Sequence, residues 1–340
     1  MEKVVYILGA GFSAPLNLPV MSNFIIKAKD MYFEDKEKYS HFESIFELLD
    51  DMSKIKNFFQ ADLYNIEEIL SILEMNDYLN GESNSDKFRK FIKDVIVYYT
   101  PKDDISSEMK LVANWEQFIL GNSSFTPLYR HFVANLFNLE VEKQEKNFFW
   151  KASNSNSTEY SIVTLNYDRV IENVIDYIEE RYETVNDLNS LINGSSEKLS
   201  KLHGCVSDNS IIPPTWNKNT NHGLKDTWQV AWRNIKDANH IRFIGYSLPV
   251  SDSYIKYFLK SAMSKSEHLK SIDVITLDNS KEKEIEQRYK EFIDFNYFRF
   301  KNGNIIDYLK DLKESGEYKF EKNKLNFNHL ERVHSVFMNM

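Results

Sequence analysis

Four short segments of this chain combine glycines with side chains able to hold an anion or move a proton. They are Gly9-Ala10-Gly11-Phe12-Ser13, Thr164-Leu165-Asn166-Tyr167-Asp168, Lys201-Leu202-His203-Gly204 and Gly245-Tyr246-Ser247-Leu248-Pro249, joined by the shorter Asp278-Asn279. Four of the ten glycines (Gly9, Gly11, Gly204 and Gly245) fall in these segments. Average usage near ~7% would give roughly twice as many glycines in all, so their placement carries information. A Gly-x-Gly turn lets backbone approach a phosphate closely, and a helix that follows can aim N–H groups at the anion. An imidazole such as that of His203 can accept a proton near neutral pH. Asn166 offers both a donor and an acceptor, and Asp168 can orient its loop or stabilise positive charge. Each residue also has a plainer reading. The glycine turn could be an ordinary strand–helix turn, Asn166 a helix cap, Asp168 a first-turn partner of the helix dipole, and Ser13 a cap or a phosphate contact. Cys205, two residues from His203, reads as an inert buried thiol rather than a nucleophile.

These segments need elements to position them. Val4-Val5-Tyr6-Ile7-Leu8 is a continuous apolar run, as expected for a buried parallel strand. Residues 161–165, 241–244 and 272–277 read as further strands. Helical patterns follow them at Val170 to Ile178, at Tyr254, Tyr257, Phe258 and Ala262, and from Lys281 onward. This alternation predicts an α/β fold with a Rossmann-like, doubly wound parallel sheet, whose ligand sits at the carboxyl ends of the strands. The opening strand would join the same sheet across a large helical insertion. In that insertion Ile66, Ile69, Leu70 and Leu73, and likewise Phe88, Phe91, Ile92 and Val95, have helical spacing. Polar breaks fall near residues 80–83 and 101–104, and no convincing strand is predicted between about 21 and 150. The division is thus 1–20 plus 160–312 as a nucleotide-binding domain, 21–159 as a helical insertion, and 313–340 as a tail or docking segment. Residues 153–158 read as a surface loop. Glu67-Glu68 and the charged stretch 281–286 read as solvated helix faces, and Trp216, Trp228 and Trp232 as packing residues.

Composition narrows the function. A chain of 340 residues is about two domains or one large α/β unit. Its net charge of −9 does not suggest a nucleic-acid groove. The single cysteine excludes an internal disulfide and every four-cysteine zinc site. No apolar run approaches the roughly 20 residues of a membrane span, and no signal peptide is evident. A cytoplasmic protein without membrane association is expected. The 24 Phe and 19 Tyr are read mostly as core and subunit interface.

Taken together, the ordered set of motifs resembles the sirtuin-like NAD hydrolases of bacterial anti-phage defence. The resemblance covers the first 20 residues and roughly 160–312. It implies that Gly9, Ala10, Gly11, Phe12 and Ser13 form the turn at the NAD phosphates. Thr164 belongs to the strand end that corresponds to the sirtuin Thr-Gln-Asn-x-Asp motif, Asn166 and Asp168 are catalytic with His203, and Gly204 completes the His-Gly pair. Gly245, Tyr246 and Ser247 form the late motif of stand-alone bacterial members, and Asp278 and Asn279 lie near the adenosine ribose. The Pro213-Pro214-Thr215-Trp216 loop also fits. The chain cannot build the four-cysteine zinc module of deacylating sirtuins, and it lacks their Phe-Arg after the glycine turn. A deacylase is therefore disfavoured, and cleavage of NAD+ to nicotinamide and ADP-ribose, with NAD+ as substrate and no metal, is the function implied. The resemblance further implies depletion of NAD+ in defence. An unregulated NADase would harm its host, so a homo-oligomer and a separate activator are expected, such as a ring ATPase or a short Argonaute-type protein. Two alternatives remain open: a non-catalytic NAD- or ADP-ribose-binding subunit, and a dehydrogenase. The latter fits Gly9-x-Gly11-x-x-Ala14 but lacks a second strand ending in an acidic residue about 20 positions on.

Overall fold

The opening run Val4-Val5-Tyr6-Ile7-Leu8 is buried throughout and forms most of β1 (Glu2–Leu8). Its alternate side chains serve two cores. Val4, Tyr6 and Leu8 join one apolar cluster, while Val5 and Ile7 join the other, on the opposite face of the sheet. A strand covered on both faces favours apolar residues on both, and this part of β1 reads as an unbroken apolar run. The computed structural model describes residues 1–55, 64–101, 119–120, 126–145, 147–153, 157–181, 183–184, 198–207, 211, 222–316 and 318–340.

Around β1 stand β4 (Thr158–Thr164), β6 (Leu199–Lys201), β7 (His240–Ile244), β8 (Ser271–Thr276) and β9 (Phe298–Asn302). They form a six-stranded sheet in the order β6-β4-β1-β7-β8-β9, and every neighbouring pair is parallel. Counted within this sheet alone the order is 3-2-1-4-5-6, that of the doubly wound dinucleotide-binding fold, as expected from the alternation of strands and helices. The order reverses between β1 and β7. There the connections leave toward opposite faces and open a crevice at the carboxyl ends of the strands.

The two faces are built from different parts of the chain. Helices His222–Lys236, Ser253–Met263 and Glu284–Phe292 cover one. The inserted helices Phe24–Glu34, Phe42–Ile55, Ile66–Asn80, Asn84–Tyr99 and Thr126–Leu136 share the other core with Ile305–Ser315 and Leu330–Asn339. The charged helix expected from Lys281 starts at Glu284, after Lys283 takes a left-handed φ of 53°.

Two features depart from the sequence expectations, β6 and β9 are strands those expectations did not include, and the C-terminal segment docks, one of the two roles expected for it. Between residues 21 and 150, where no strand was expected, β2 (Leu139–Gln144) and β3 (Asn147–Ala152) make an antiparallel hairpin. It belongs to a second sheet in the order β10-β2-β3-β5, with β5 (Glu183–Thr184) and β10 (Lys324–Asn326) at its edges. The alternation of Leu139 and Val141 with charged residues is the signature of a strand with one buried face, and it was hidden by those charges. Thr158, read as part of a surface loop, is buried at the start of β4. The C-terminal segment is built into the core. Arg242 on β7 makes a paired bond to Glu331 (2.8 and 2.6 Å), and Asp273 on β8 meets His334 at 3.1 Å. The Pro213-Pro214-Thr215-Trp216 loop lies outside the described residues, as do the polar positions 102–104.

Candidate functional site

All six parallel strands send the segment after their carboxyl end to one cleft of about 980 Å³. Of the expected residues, Gly9, Ala10, Gly11, Ser13, Asn166, Asp168, His203, Gly245, Tyr246, Ser247 and Asn279 border it. Phe12, Thr164, Gly204 and Asp278 do not. Phe12 turns into the core against Tyr129, at a ring separation of 5.1 Å. Thr164 sits behind the wall, where its Oγ1 accepts the Asn166 N–H at 3.1 Å. Gly204 follows His203 with a φ of 80° that a side chain would strain.

The two glycine turns are pressed together at the switch point. Gly9 N–H donates to the Ile244 carbonyl at 3.0 Å, and Gly11 N–H to the Gly245 carbonyl at 2.8 Å. Gly245 has a φ of 63°, and a Cβ there would lie 2.2 Å from Phe12 N and 2.4 Å from the Gly11 carbonyl carbon. This contact explains why the glycines are needed. It also corrects the expectation of a helix N-terminus rich in free donors. The helix after the turn is only Ala10–Ser13, and the N–H groups of Gly9, Gly11 and Phe12 are all donated to protein carbonyls. The turn contributes mainly by bringing backbone close to the cleft.

Asn166 ties this turn to β4. Its Nδ2 donates to the Gly9 carbonyl at 3.0 Å and to Ser13 Oγ at 3.2 Å. With both Nδ2 hydrogens used, its Oδ1 is the atom left to accept a bond from a bound molecule. Ser13 Oγ thus accepts from Asn166, and both residues border the cleft. Asp168 accepts the Val170 N–H at 3.0 Å and so caps helix Val170–Arg181. Its plain and functional readings are thus compatible. Burial pushes its carboxyl above the usual range, against the opposing pull of Lys201, the Val170 N–H and Ser13. For Lys201, burial disfavours the charge, but Glu172, Cys205 and Asp168 outweigh it and the ammonium is held more tightly than usual. Cys205 is buried, so its thiol is shielded from the cleft.

His203 is almost fully buried, 1% exposed, and its ring lies 5.7 Å from that of Tyr167. Neither ring nitrogen of His203 nor the Tyr167 hydroxyl has a hydrogen-bond partner among the described residues. Both residues border the cleft. Buried polar atoms are nearly always paired in folded proteins. Three such atoms beside one cavity therefore mark a place where a bound molecule or water completes the bonding. Burial, with Glu67 and Asp252 as further contributions, pushes the Tyr167 hydroxyl far above the usual phenol range, so it stays a neutral donor.

The far wall carries residues that the sequence reading missed. Glu67, read as a solvated face, sits in the first turn of helix Ile66–Asn80, with 17% of its side chain exposed and Oε1 3.3 Å from His203 Nδ1. Asp252 borders the cleft and accepts the Tyr246 hydroxyl at 2.5 Å. Asn304, Asp307 and Lys310 border it at the start of helix Ile305–Ser315. Asp278, expected near the ribose, instead caps helix Glu284–Phe292. Its carboxylate accepts the N–H groups of Ile285 (2.9 Å) and Glu286 (3.2 Å). Burial opposes its charge, but these bonds and those from Ser280 hold the carboxyl below the usual range. Trp228 packs on Phe258 and donates its indole N–H to the Leu202 carbonyl at 3.0 Å, a structural role that steadies the His203 segment. Trp216 lies outside the described residues. Among those residues no group of acidic, histidine or cysteine side chains is placed to hold a metal, and no helix is long and apolar enough to cross a membrane.

Residues 160–306 match the family model of a SIR2-like domain. No curated protein matches the chain. Among solved structures, a Sir2 enzyme from work on the mechanism and regulation of Sir2 enzymes aligns at 12% identity, covering 98% of this chain and 94% of that one, with a TM-score of 0.41. A Sir2 with a p53 peptide and NAD+ aligns at 13% identity over 92% of each chain, with a TM-score of 0.39. Sir2Tm bound to a propionylated peptide gives 13%, 92% of each chain and 0.37. At these scores the likeness adds nothing to what the strand order already shows.

Proposed function

We propose that this chain, with its SIR2-like stretch at residues 160–306, binds NAD+ in the cleft and hydrolyses it to nicotinamide, ADP-ribose and a proton. The observation that carries the reading is buried His203, whose Nε2 has no partner among the described residues and which shares the cleft with Asn166 and the glycine turns. A cleft of about 980 Å³ suits a ligand of dinucleotide size. The pyrophosphate would lie along the Gly9–Ser13 and Gly245–Ser247 turns, which border the cleft.

The reaction breaks the bond between the ribose C1′ and the nicotinamide nitrogen, and nicotinamide leaves with the bonding pair. The transition state has the oxocarbenium character of glycosidic cleavage. Glu67, Asp168 and Asp252 border the cleft, and acidic groups there favour the developing positive charge. Asn166 Oδ1 would hold the attacking water or a ribose hydroxyl. His203 Nε2 would accept the proton released as water adds to C1′. A positioned base of this kind is worth ~10²–10⁴-fold. We extend the proposal to a defence effector that depletes NAD+ as an oligomer under the control of a separate activator. The test is direct quantification of nicotinamide and ADP-ribose formed from NAD+ by the purified chain, compared with His203→Ala and Asn166→Ala.

A further inference from the structure

The wall facing His203 comes from the insertion rather than from the sheet, and it is fastened at that point. Asn65 caps helix Ile66–Asn80 by accepting the N–H groups of Glu67 and Glu68, each at 3.1 Å. Its own Nδ2 donates to Ser251 Oγ at 3.1 Å, in the segment that follows β7. The Ile66 N–H is engaged by the Met21 sulfur at 3.2 Å. The first helical turn is therefore held from both sides of the switch point. Its second residue, Glu67, places Oε1 3.3 Å from His203 Nδ1.

We propose that Glu67 is a positioning residue for His203, a role that rests on the function proposed above. An imidazole carries its proton on the nitrogen that finds the better acceptor. Asn166 and Tyr167 stand on β4's side of the ring, and Glu67 is the carboxylate at Nδ1. A small rotation of the ring turns the 3.3 Å contact into a bond from Nδ1–H to Glu67 Oε1. As the ring stands neither of its nitrogens has a hydrogen-bond partner among the described residues; with Nδ1–H turned to Glu67, Nε2 is the unprotonated nitrogen. Without Glu67 the proton is free to sit on Nε2, where His203 cannot accept another. The insertion is thus part of the catalytic assembly, because the state of the base depends on a helix contributed from outside the sheet.

The tautomer can be read without any turnover. Long-range ¹H–¹⁵N correlation of the full chain reports which imidazole nitrogen of His203 is protonated, and His203→Ala identifies its signal. The expected result is the Nδ1–H form in the wild type, kept in Glu67→Gln, which retains an acceptor oxygen, and lost or mixed in Glu67→Ala. Glu67→Asp, whose shorter side chain withdraws the carboxylate, should behave as Glu67→Ala does. If the protein releases nicotinamide, kcat in Glu67→Ala falls about 10–100-fold while KM moves less than about threefold, and Glu67→Gln recovers most of the rate. An Nε2–H form in the wild type, or a tautomer indifferent to Glu67→Ala and Glu67→Asp, overturns the proposal whether or not NAD+ is cleaved. The expected tautomers in a protein that neither binds nor cleaves NAD+ would instead overturn the hydrolase reading and leave the pairing of the two residues standing.

Discussion

Replacing Gly245 by alanine tests the physical claim that the cleft exists because two turns touch. Two costs add at this position. The φ of 63° is left-handed, which disfavours a residue with a Cβ by about 1–2 kcal/mol. The new Cβ would also stand 2.2 Å from Phe12 N and 2.4 Å from the Gly11 carbonyl carbon, both backbone atoms that cannot swing away. Overpacking of this kind costs about 1–3 kcal/mol. Reduced freedom of the unfolded chain returns about 0.4–1 kcal/mol, so the net loss is roughly 2–4 kcal/mol. Unfolding entropy of about 2.1 cal/mol/K per residue gives roughly 0.7 kcal/mol/K for this chain, so Tm should fall by ~3–6 °C. Gly81 supplies the control. It has a similar φ of 72° but nothing within 4 Å of an added Cβ, so Gly81→Ala carries only the conformational cost and should lower Tm by no more than ~1–2 °C. Calorimetry of both variants decides the matter. A Gly245→Ala protein as stable as Gly81→Ala would show that the turns have room to separate, and the account of the switch point would fail.

Other consequences concern the buried polar groups under the C-terminal helix and the far end of the cleft. His334 is buried, which with Arg242 nearby lowers its pKa to about 4 despite the bonds to Asp273. The unfolded state therefore binds more protons between about pH 6.5 and 4, and stability should fall as pH drops through that window. His240, also lowered by burial, acts in the same direction, so the effect is isolated by comparing Tm profiles of wild type and His334→Gln. Equal slopes would contradict it. Removing Glu331 strands the Arg242 guanidinium, which is 3% exposed, and Glu331→Ala should cost about 2–4 kcal/mol. Hydrogen exchange should show the loss concentrated in Leu330–Asn339, and unchanged protection there would be inconsistent with the pairing. Lys310 is the one Lys or Arg among the described residues bordering the cleft. Lys310→Ala should raise KM for NAD+ about threefold or more with little change in kcat, and a fall in kcat alone would place the dinucleotide elsewhere.

The four central strands of the sheet were legible because their physics is local, whereas β6, only three residues long, and β9, half-buried with charged residues, were not. A strand buried on both faces is mostly apolar, with exceptions such as Arg242 and Asp273 that are paired by the C-terminal helix, and the turns at the carboxyl ends carry the polar residues that border the cleft. Gly9, Gly11 and Gly245 stood out for the same reason, although the cause of their presence, contact between the turns, needed the strand order to be seen. Glu67 was not legible. The spacing of Ile66, Ile69, Leu70 and Leu73 assigns the buried face correctly and leaves Glu67 off it. What brings Glu67 inward is the position of the helix end over the cleft, a tertiary fact with no local signature beyond the capping Asn65. Asp278 shows the converse ambiguity, since an acidic residue after a strand is equally suited to a ribose or to the next helix N-terminus, and its carboxylate accepts the N–H groups of Ile285 and Glu286. The hairpin Leu139–Ala152 was obscured because Glu140 and Glu142 look like solvated charge. In fact each meets Lys151 at 2.9 Å across the strands.

Nicotinamide release from NAD+ by the purified chain, beside folded His203→Ala and Asn166→Ala, tests the central claim most directly. The account predicts release by the wild type and its loss in both variants, or NAD+ binding without release where an activator is missing. Neither release nor binding in the wild type, or release that survives both substitutions, would contradict it.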